Sequence, residues 1–204
     1  MIMRMGLDEL KRHGDLYNQM FKLRTQIFHN KLKWDVNIDK NGHEIDEFDT
    51  GNVIYIICVE GTRVVGTIRL LETLRPTMLS TVFKCLLDGE TIPKSATIWE
   101  STRFAVDTDQ INTKSNNKTN WVTRELLGGI YEYALENNIT HIVSVFDVFV
   151  ERILKRAGCE FNRIGKPVKI GRVKAVAAKF PISLEILNNI RQESKLSETF
   201  IMVA

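Results

Sequence analysis

The chain has 204 residues, enough for one domain with a sizeable core. At 44% hydrophobic and 26% charged it has the composition of an ordinary folded domain, and no apolar run approaches the roughly 20 residues of a membrane span. A net charge of only +3 announces no nucleic-acid binder.

The first segment, about Leu7 to Leu32, carries apolar residues at Leu16, Met20, Leu23, Ile27 and Phe28, which is helical spacing. The stretch "DVNIDKNGHEIDEFDTGN" follows, without helix or strand period, and residues 31–52 read as a loop or lid. "VIYIICVE" and "RVVGTIRLL" are strands, and Gly61-Thr62 between them predicts a hairpin. Thr81 to Leu87 reads as a short helix with Ser80 as its N-cap. "TIWESTRFAV" is a third strand, and Asn120 to Glu136 a second long helix. "HIVSVF", short and almost wholly apolar, is a buried strand. Asp147 is positioned to cap the helix "VFVERILKRAG", which ends at Gly158. Short strands follow, "RVKAVAAKF" the clearest, then a last helix after Pro181. The order predicts one α/β domain with helices packed on a sheet.

Charge is unevenly spread. From Asp35 to Glu60 seven acids face one lysine, and from Glu151 to Lys174 eight basic residues face two glutamates. Such asymmetry steers charged partners, or simply marks two differently solvated faces. Cys58, Cys85 and Cys159 form no metal or disulfide pattern, which predicts a reducing, cytoplasmic setting. The opening "MIMRMGLDELKRHGDL" lacks the apolar core of a signal peptide, and the scattered histidines predict no metal site. No strand is followed by G-x-G-x-x-G, so a dinucleotide site has no support.

Four places hold more polar chemistry than a core or a surface requires: Arg24 with Phe28 one turn on and then Trp34; Asp46-Glu47-Phe48-Asp49; Arg69 inside "GTIRLL"; and Glu100 with Arg103 inside "WESTRFAV". Singly, each has a plain reading: a surface arginine, solvated loop acids, a structural Arg69–Glu100 pair. Together, arginines inside strands with carboxylates in reach predict a charged cleft, because desolvated charge is costly unless paired or liganded.

The stretches "LRTQIF", "LKWDV", "EIDEFD", "GTIRLL", "PTMLSTVF" and "WESTRFAV" resemble those of the acyl-homoserine-lactone synthases, the autoinducer synthases of quorum sensing. The resemblance runs from about Tyr17 to Lys179 and matches the family set at Arg24, Phe28, Trp34, Asp46, Asp49, Arg69, Phe83, Glu100 and Arg103. "LLETLRP" and Thr102 depart from the family's usual residues without removing a charged member of the set.

The resemblance implies a single domain similar to the N-acetyltransferase superfamily, with a twisted mixed sheet splayed near its middle. It implies acyl carrier protein as the thioester partner and S-adenosylmethionine as substrate, with no cofactor. Glu100 is then the base for the attacking amine, with Arg103 and Arg69 organising the charged groups. Arg24, Phe28, Trp34, Asp46, Asp49 and Arg103 would bind S-adenosylmethionine, and residues 31–52 would cover it. Backbone N–H groups at a bulge in the Glu100 strand would hold the oxyanion. Phe83, Thr102, Phe104, Ser144, Phe146 and Phe149 are the expected acyl-pocket walls. Ser144 either reads a 3-oxo oxygen or bonds its own strand or helix. Arg152, Lys155 and Arg156 are expected to dock the acidic carrier. Two rivals remain at this point: an acetyl-CoA-dependent amine acetyltransferase and a non-enzymatic acyl-ligand sensor. The segment "DTDQINTKSNNKTN" after the Glu100 strand has no glycine-rich phosphate loop, against the first rival. A sensor has no need of Arg69, Glu100 and Arg103.

Overall fold

The computed structural model describes residues 1–109 and 120–199, with the side chains of the last helix described to residue 192. Most of the segment expected to lack a phosphate loop, residues 110–119, lies outside the described residues.

Eight strands form one sheet in the order β1-β2-β3-β4-β5-β8-β6, with β7 also on β8. They are β1 Ile2–Gly6, β2 Ile54–Glu60, β3 Arg63–Glu72, β4 Ile98–Val106, β5 His141–Asp147, β6 Asn162–Arg163, β7 Val168–Ile170 and β8 Val173–Pro181. The β2–β3 hairpin forms as predicted, with Gly61 at φ +60° in its turn. Strand β1 was not expected. It is an edge strand in which only Met5 is buried, so its sequence carries little alternation to read.

The predicted helix from Leu7 to Leu32 is three pieces: α1 Leu7–Arg12, α2 Gly14–Arg24 and a π-helical turn Thr25–Lys31. The chain leaves helical geometry at His13, φ −97° and ψ 69°, just before Gly14. The Thr25 hydroxyl donates to the Phe21 carbonyl at 3.1 Å and to the Gly42 carbonyl at 2.8 Å. It thus competes for a helix acceptor while tying the helix to the acidic loop.

Ser80 caps no helix. Its hydroxyl accepts from Thr77 N at 2.8 Å and donates to Thr77 O at 3.0 Å, closing a turn, and only Lys84–Leu87 is helical, as a 3-10 turn. Helix α3, Trp121–Glu136, starts as predicted: the Asn120 side chain accepts from Thr123 N at 2.9 Å. Helix α4, Val150–Arg156, is shorter than expected. Asp147 accepts from Phe149 N at 3.0 Å and lies two residues before the N-cap position, Phe149, too early to cap it. Helix α5 is Leu184–Thr199.

Alternation along the strands sends side chains to two cores. Ile56, Cys58, Ile68 and Leu70 pack under α3 and α5. Val53, Tyr55, Ile57 and Leu71 pack against the α1–α2 side with Phe21 and Phe28. Gly66 permits the first contact: a Cβ there would lie 2.5 Å from Val122 Cγ1 and 2.9 Å from Leu126 Cδ1. Among the described strands only β4 and β5 run parallel, and they pair from Ile98–His141 to Ser101–Ser144. Beyond that pair the two strands part. Among the described residues no helix is long and apolar enough to cross a membrane.

Candidate active site

In a regular strand, residues three apart point to opposite faces. Glu100 and Arg103 escape this rule through a bulge. Arg69 pairs with Thr102, but Thr67 pairs with Ala105, so β4 takes three steps against two on β3. Arg103 sits in the bulge at φ +55°, a conformation costing a non-glycine residue about 1–3 kcal/mol. Thr102 and Arg103 consequently both reach the α2 face. Ion pairs hold the strained residue there.

Those ion pairs form a closed cluster of three arginines and three carboxylates. Arg24, from the end of α2, grips Asp49 in a two-pronged bond at 2.8 Å on each prong and reaches Glu44 Oε2 at 2.6 Å. Arg69, from the middle of β3, binds both oxygens of Asp46, reaches Asp49 at 2.8 Å, and donates through Nε to Thr102 Oγ1 at 3.0 Å. Arg103 binds Glu44 at 3.0 Å and Asp46 at 2.6 Å. The three acids come from one loop, so the cluster pins residues 44–49 onto the sheet.

Within this cluster burial and charge oppose each other at Asp49. Burial works against ionisation, but the adjoining Arg24 and Arg69 guanidiniums and the Asp46 N–H reverse it and hold the carboxyl far below its usual range. Tyr55 donates to Asp49 at 2.8 Å, and burial beside that carboxylate pushes its phenol up. Asp49 therefore accepts from Arg24 twice, from Tyr55 and from the Asp46 N–H, and forms an ion pair with Arg69. Its oxygens are filled by the protein, so it does not offer a bare carboxylate to a ligand's cation.

Glu100 stands apart from the cluster. The expected alternative of an Arg69–Glu100 pair is absent among the described ion pairs: Arg69 pairs with Asp46 and Asp49. Glu100 is fully buried and accepts the Leu79 N–H at 3.0 and 3.2 Å. Burial pushes its carboxyl up to about 7, against the Thr77 hydroxyl, the Leu79 N–H and the Arg69 charge. It is thus divided between acid and base forms near neutrality, as proton transfer requires. At the edge of the ion cluster, Trp34 stacks on Phe28 at 5.2 Å and 21°, and the Arg103 guanidinium lies over the Phe28 ring at 5.4 Å. Trp34 remains 41% exposed, an aromatic face turned to solvent at the cluster's rim.

The expected acyl-pocket residues are not gathered into one wall. Phe83 packs with Leu79 and Val143, and Thr102 bonds Arg69, both on the Glu100 face. Phe146 lies on the other face, its ring 5.8 Å from Phe161 and 6.0 Å from Phe180. Ser144 shares that face by alternation, and its hydroxyl donates to the Ser101 carbonyl of the neighbouring strand at 3.0 Å, where β4 and β5 part. Phe104 is exposed within the bulged segment, and Phe149 is 82% exposed at the start of α4, so it walls no pocket. Arg152, Lys155 and Arg156 are all exposed on α4.

Sequence reasoning missed Glu44, Tyr55, Thr77, Met78 and the Leu79 N–H. Glu44 sits two residues before Asp46 in the same acidic run, and a tyrosine alternating with isoleucines in β2 signals a phenol needing a buried partner.

A family model described as autoinducer synthase matches residues 8–190. The chain belongs to the autoinducer synthase family. This synthase is 35% identical over 181 residues to an acyl-homoserine-lactone synthase of Agrobacterium fabrum, covering 88% of this chain and 85% of that one. Such synthases are acyltransferases, and the family assigns the chain to that enzyme class. A solved structure described as a CoA-dependent acyl-homoserine lactone synthase, BjaI, with SAM and isopentyl-CoA superposes with a TM-score of 0.85 at 25% identity, over 95% of this chain and 88% of that one. An acyl-CoA N-acyltransferase from Pseudomonas aeruginosa superposes at 0.61 with 11% identity, over 88% of this chain and 97% of that one, which establishes the shared N-acyltransferase fold. The fold expected for the autoinducer synthase from its sequence is therefore the one it has, including the splay between β4 and β5.

Proposed function

We propose that this autoinducer synthase transfers an acyl group from acyl carrier protein to the amine of S-adenosylmethionine and then closes the lactone. The products are N-acyl-L-homoserine lactone, methylthioadenosine and holo carrier protein. The observation that carries the reading is Glu100, buried with a carboxyl near 7, on a bulged strand at the mouth of the splay.

Glu100 takes a proton from the ammonium, directly or through water. The freed amine attacks the thioester carbon. Backbone N–H groups of the bulged β4 edge hold the oxyanion, and the thiolate leaves with a proton. The methionine carboxylate then attacks its own γ-carbon and methylthioadenosine departs. Trp34, stacked on the buried Phe28, offers its exposed aromatic face to the sulfonium and adenine. Residues 31–52, held by the ion cluster, cover that substrate. The charges match: three arginines and three acids cancel, ionised Glu100 adds one negative charge, and S-adenosylmethionine carries a net positive one.

The test supplies S-adenosylmethionine with a series of acyl groups, each as carrier-protein thioester and as coenzyme A thioester. Mass spectrometry follows the lactone. Lactone from the carrier thioester at much lower concentration than from coenzyme A is expected. Lactone from coenzyme A alone moves this chain to the donor named for BjaI, and no lactone from either removes the reading.

The carrier is expected to dock on α4, whose exposed Arg152, Lys155 and Arg156 suit an acidic partner, whereas Arg163 is engaged by Glu151 at 2.6 and 2.9 Å. Reversing Arg152 and Arg156 to glutamate is expected to raise KM for acyl carrier protein roughly tenfold at low salt, less at high salt, because surface charge acts through screened encounter. KM for acyl-CoA changes little. Equal loss with both donors assigns the patch to the cleft itself.

At Ser144, a 3-oxo oxygen would take the hydroxyl proton now given to Ser101. Ser144→Ala is expected to lower the preference for 3-oxo over unsubstituted chains of equal length by about 3- to 10-fold. An unchanged ratio means that the hydroxyl serves only the strand pair.

A further inference from the structure

Phe149 walls no pocket, yet at 82% it is the most exposed large apolar side chain among the described residues. A single exposed apolar residue needs no explanation, but Phe149 does not stand alone. Its backbone is already helical, at φ −65° and ψ −27°, so its side chain extends one face of α4. Arg152, Ile153 and Arg156 follow on that face, three, four and seven residues on, and Ile153 is 44% exposed. With 3.6 residues per turn the four side chains share an arc of about 100°. The rest of the helix turns elsewhere. Leu154 is buried in the core under α3 and α5, Lys155 holds its ammonium 5.6 Å from the Phe161 ring, and Glu151 is bound by Arg163. The outward face therefore presents two apolar side chains between two arginines.

We infer that Phe149 and Ile153 form the apolar centre of the carrier-protein dock, and that Phe149 carries the part of the binding that salt does not weaken. The inference rests on the reading of acyl carrier protein as the donor, and adds to the basic rim a contact of another kind. The occupant is a helix of that acidic partner with an apolar side chain exposed between its carboxylates. Charge selects it over a second copy of this chain, because a symmetric contact would bring Arg152 and Arg156 against their own copies. Position selects it as well. Helix α4 begins three residues beyond β5, the strand whose second half has parted from β4. A carrier seated on this face stands at the opening through which its pantetheine arm reaches towards Glu100. The two kinds of residue then divide the work. The arginines draw the carrier in from a distance, and their pull fades as salt rises. The phenyl ring loses its water only on contact, so it holds what has arrived.

The test measures the dissociation constant of acyl carrier protein, its acyl group attached through an unreactive amide, by fluorescence anisotropy. Salt is raised from about 0.1 to 0.5 M, over which the Debye length falls from about 10 to about 4 Å. Phe149→Ala is expected to weaken binding about tenfold at every salt concentration, and Phe149→Leu, which keeps an apolar side chain, to stay within about threefold of the wild type. Arg152→Ala is expected to weaken it about fivefold at low salt and less than about twofold at high salt. All three side chains replaced lie at the surface, and unchanged melting temperatures show that the variants are folded. Wild-type affinity in Phe149→Ala overturns the inference, as does a loss that vanishes at high salt or one that leucine does not rescue. A changed oligomeric state in Phe149→Ala with carrier affinity intact makes the face a contact between copies, and the inference falls. No carrier binding by the wild type removes the donor reading and this inference with it. That outcome is distinct from carrier binding that ignores Phe149.

Discussion

Glu100→Gln is expected to lower kcat by about 10²–10⁴-fold while leaving the fold intact. Glutamine keeps the size and still accepts the Leu79 N–H, now held at 3.0 Å by the carboxylate. It lacks only the basic form. The pH profile separates this role from a structural one. Burial pushes the Glu100 carboxyl up to about 7, so the base form grows as pH rises through 7, and kcat/KM should rise with it. The substrate ammonium titrates higher, near the roughly 7.7–8.0 of an α-amino group. The variant should lose the lower limb and keep the upper. The stability effect has the opposite sense. A carboxyl raised from 4.5 to about 7 favours the folded state at pH values below its unfolded pKa, and that contribution is lost as pH rises through 7. The wild type should therefore melt at lower temperature above pH 7 than near pH 5 by more than the glutamine variant does. A folded variant with near-normal turnover, or an unchanged lower limb, removes Glu100 from the base role.

What the sequence revealed follows from how each element advertises itself. Strands β2, β3, β4 and β5 are apolar enough to read directly, and Asn120 signals the start of α3. The β4 bulge leaves no such mark: "STRFAV" would read the same with or without it, since the extra residue is decided by pairing with β3. That hidden step is what turns Thr102 and Arg103 to the same side. The acidic loop failed for another reason. Glu44 and Glu47 belong to one polar run, yet Glu44 is fully buried between Arg24 and Arg103 while Glu47 is exposed. A loop has no period from which to tell them apart, and only the arginines on the far elements decide. The acyl-pocket expectation scattered because aromatic residues on β5 and α4 advertise burial without saying which face they serve; Phe149 serves none.

Arg69→Met is expected to cost about 3–5 kcal/mol of stability, the range for breaking a buried ion pair by removing one partner. Arg69 is fully buried and bonds Asp46, Asp49 and Thr102 together. Without it three carboxylates share two arginines in a site that admits little water. For a chain of this size the loss corresponds to a melting temperature lower by about 6–20 °C. Arg69→Lys keeps the charge but not the planar fork, so it should fall between the variant and the wild type. Acid titration adds a second readout. Asp49 is held far below its usual range by Arg24 and Arg69, so its ionised form stabilises the fold above the unfolded carboxyl pKa near 4. That stabilisation drains away as pH falls below about 4 towards the folded value. With Arg69 gone, Asp49 is less depressed, and the melting temperature of Arg69→Met should change less between pH 5 and pH 3 than that of the wild type. Denaturant melts at pH 7 and thermal melts at both acid pH values decide the matter. Wild-type stability in Arg69→Met, or an acid dependence as steep as that of the wild type, would mean that Arg24 alone holds the acids and that Arg69 is kept in β3 for the substrate.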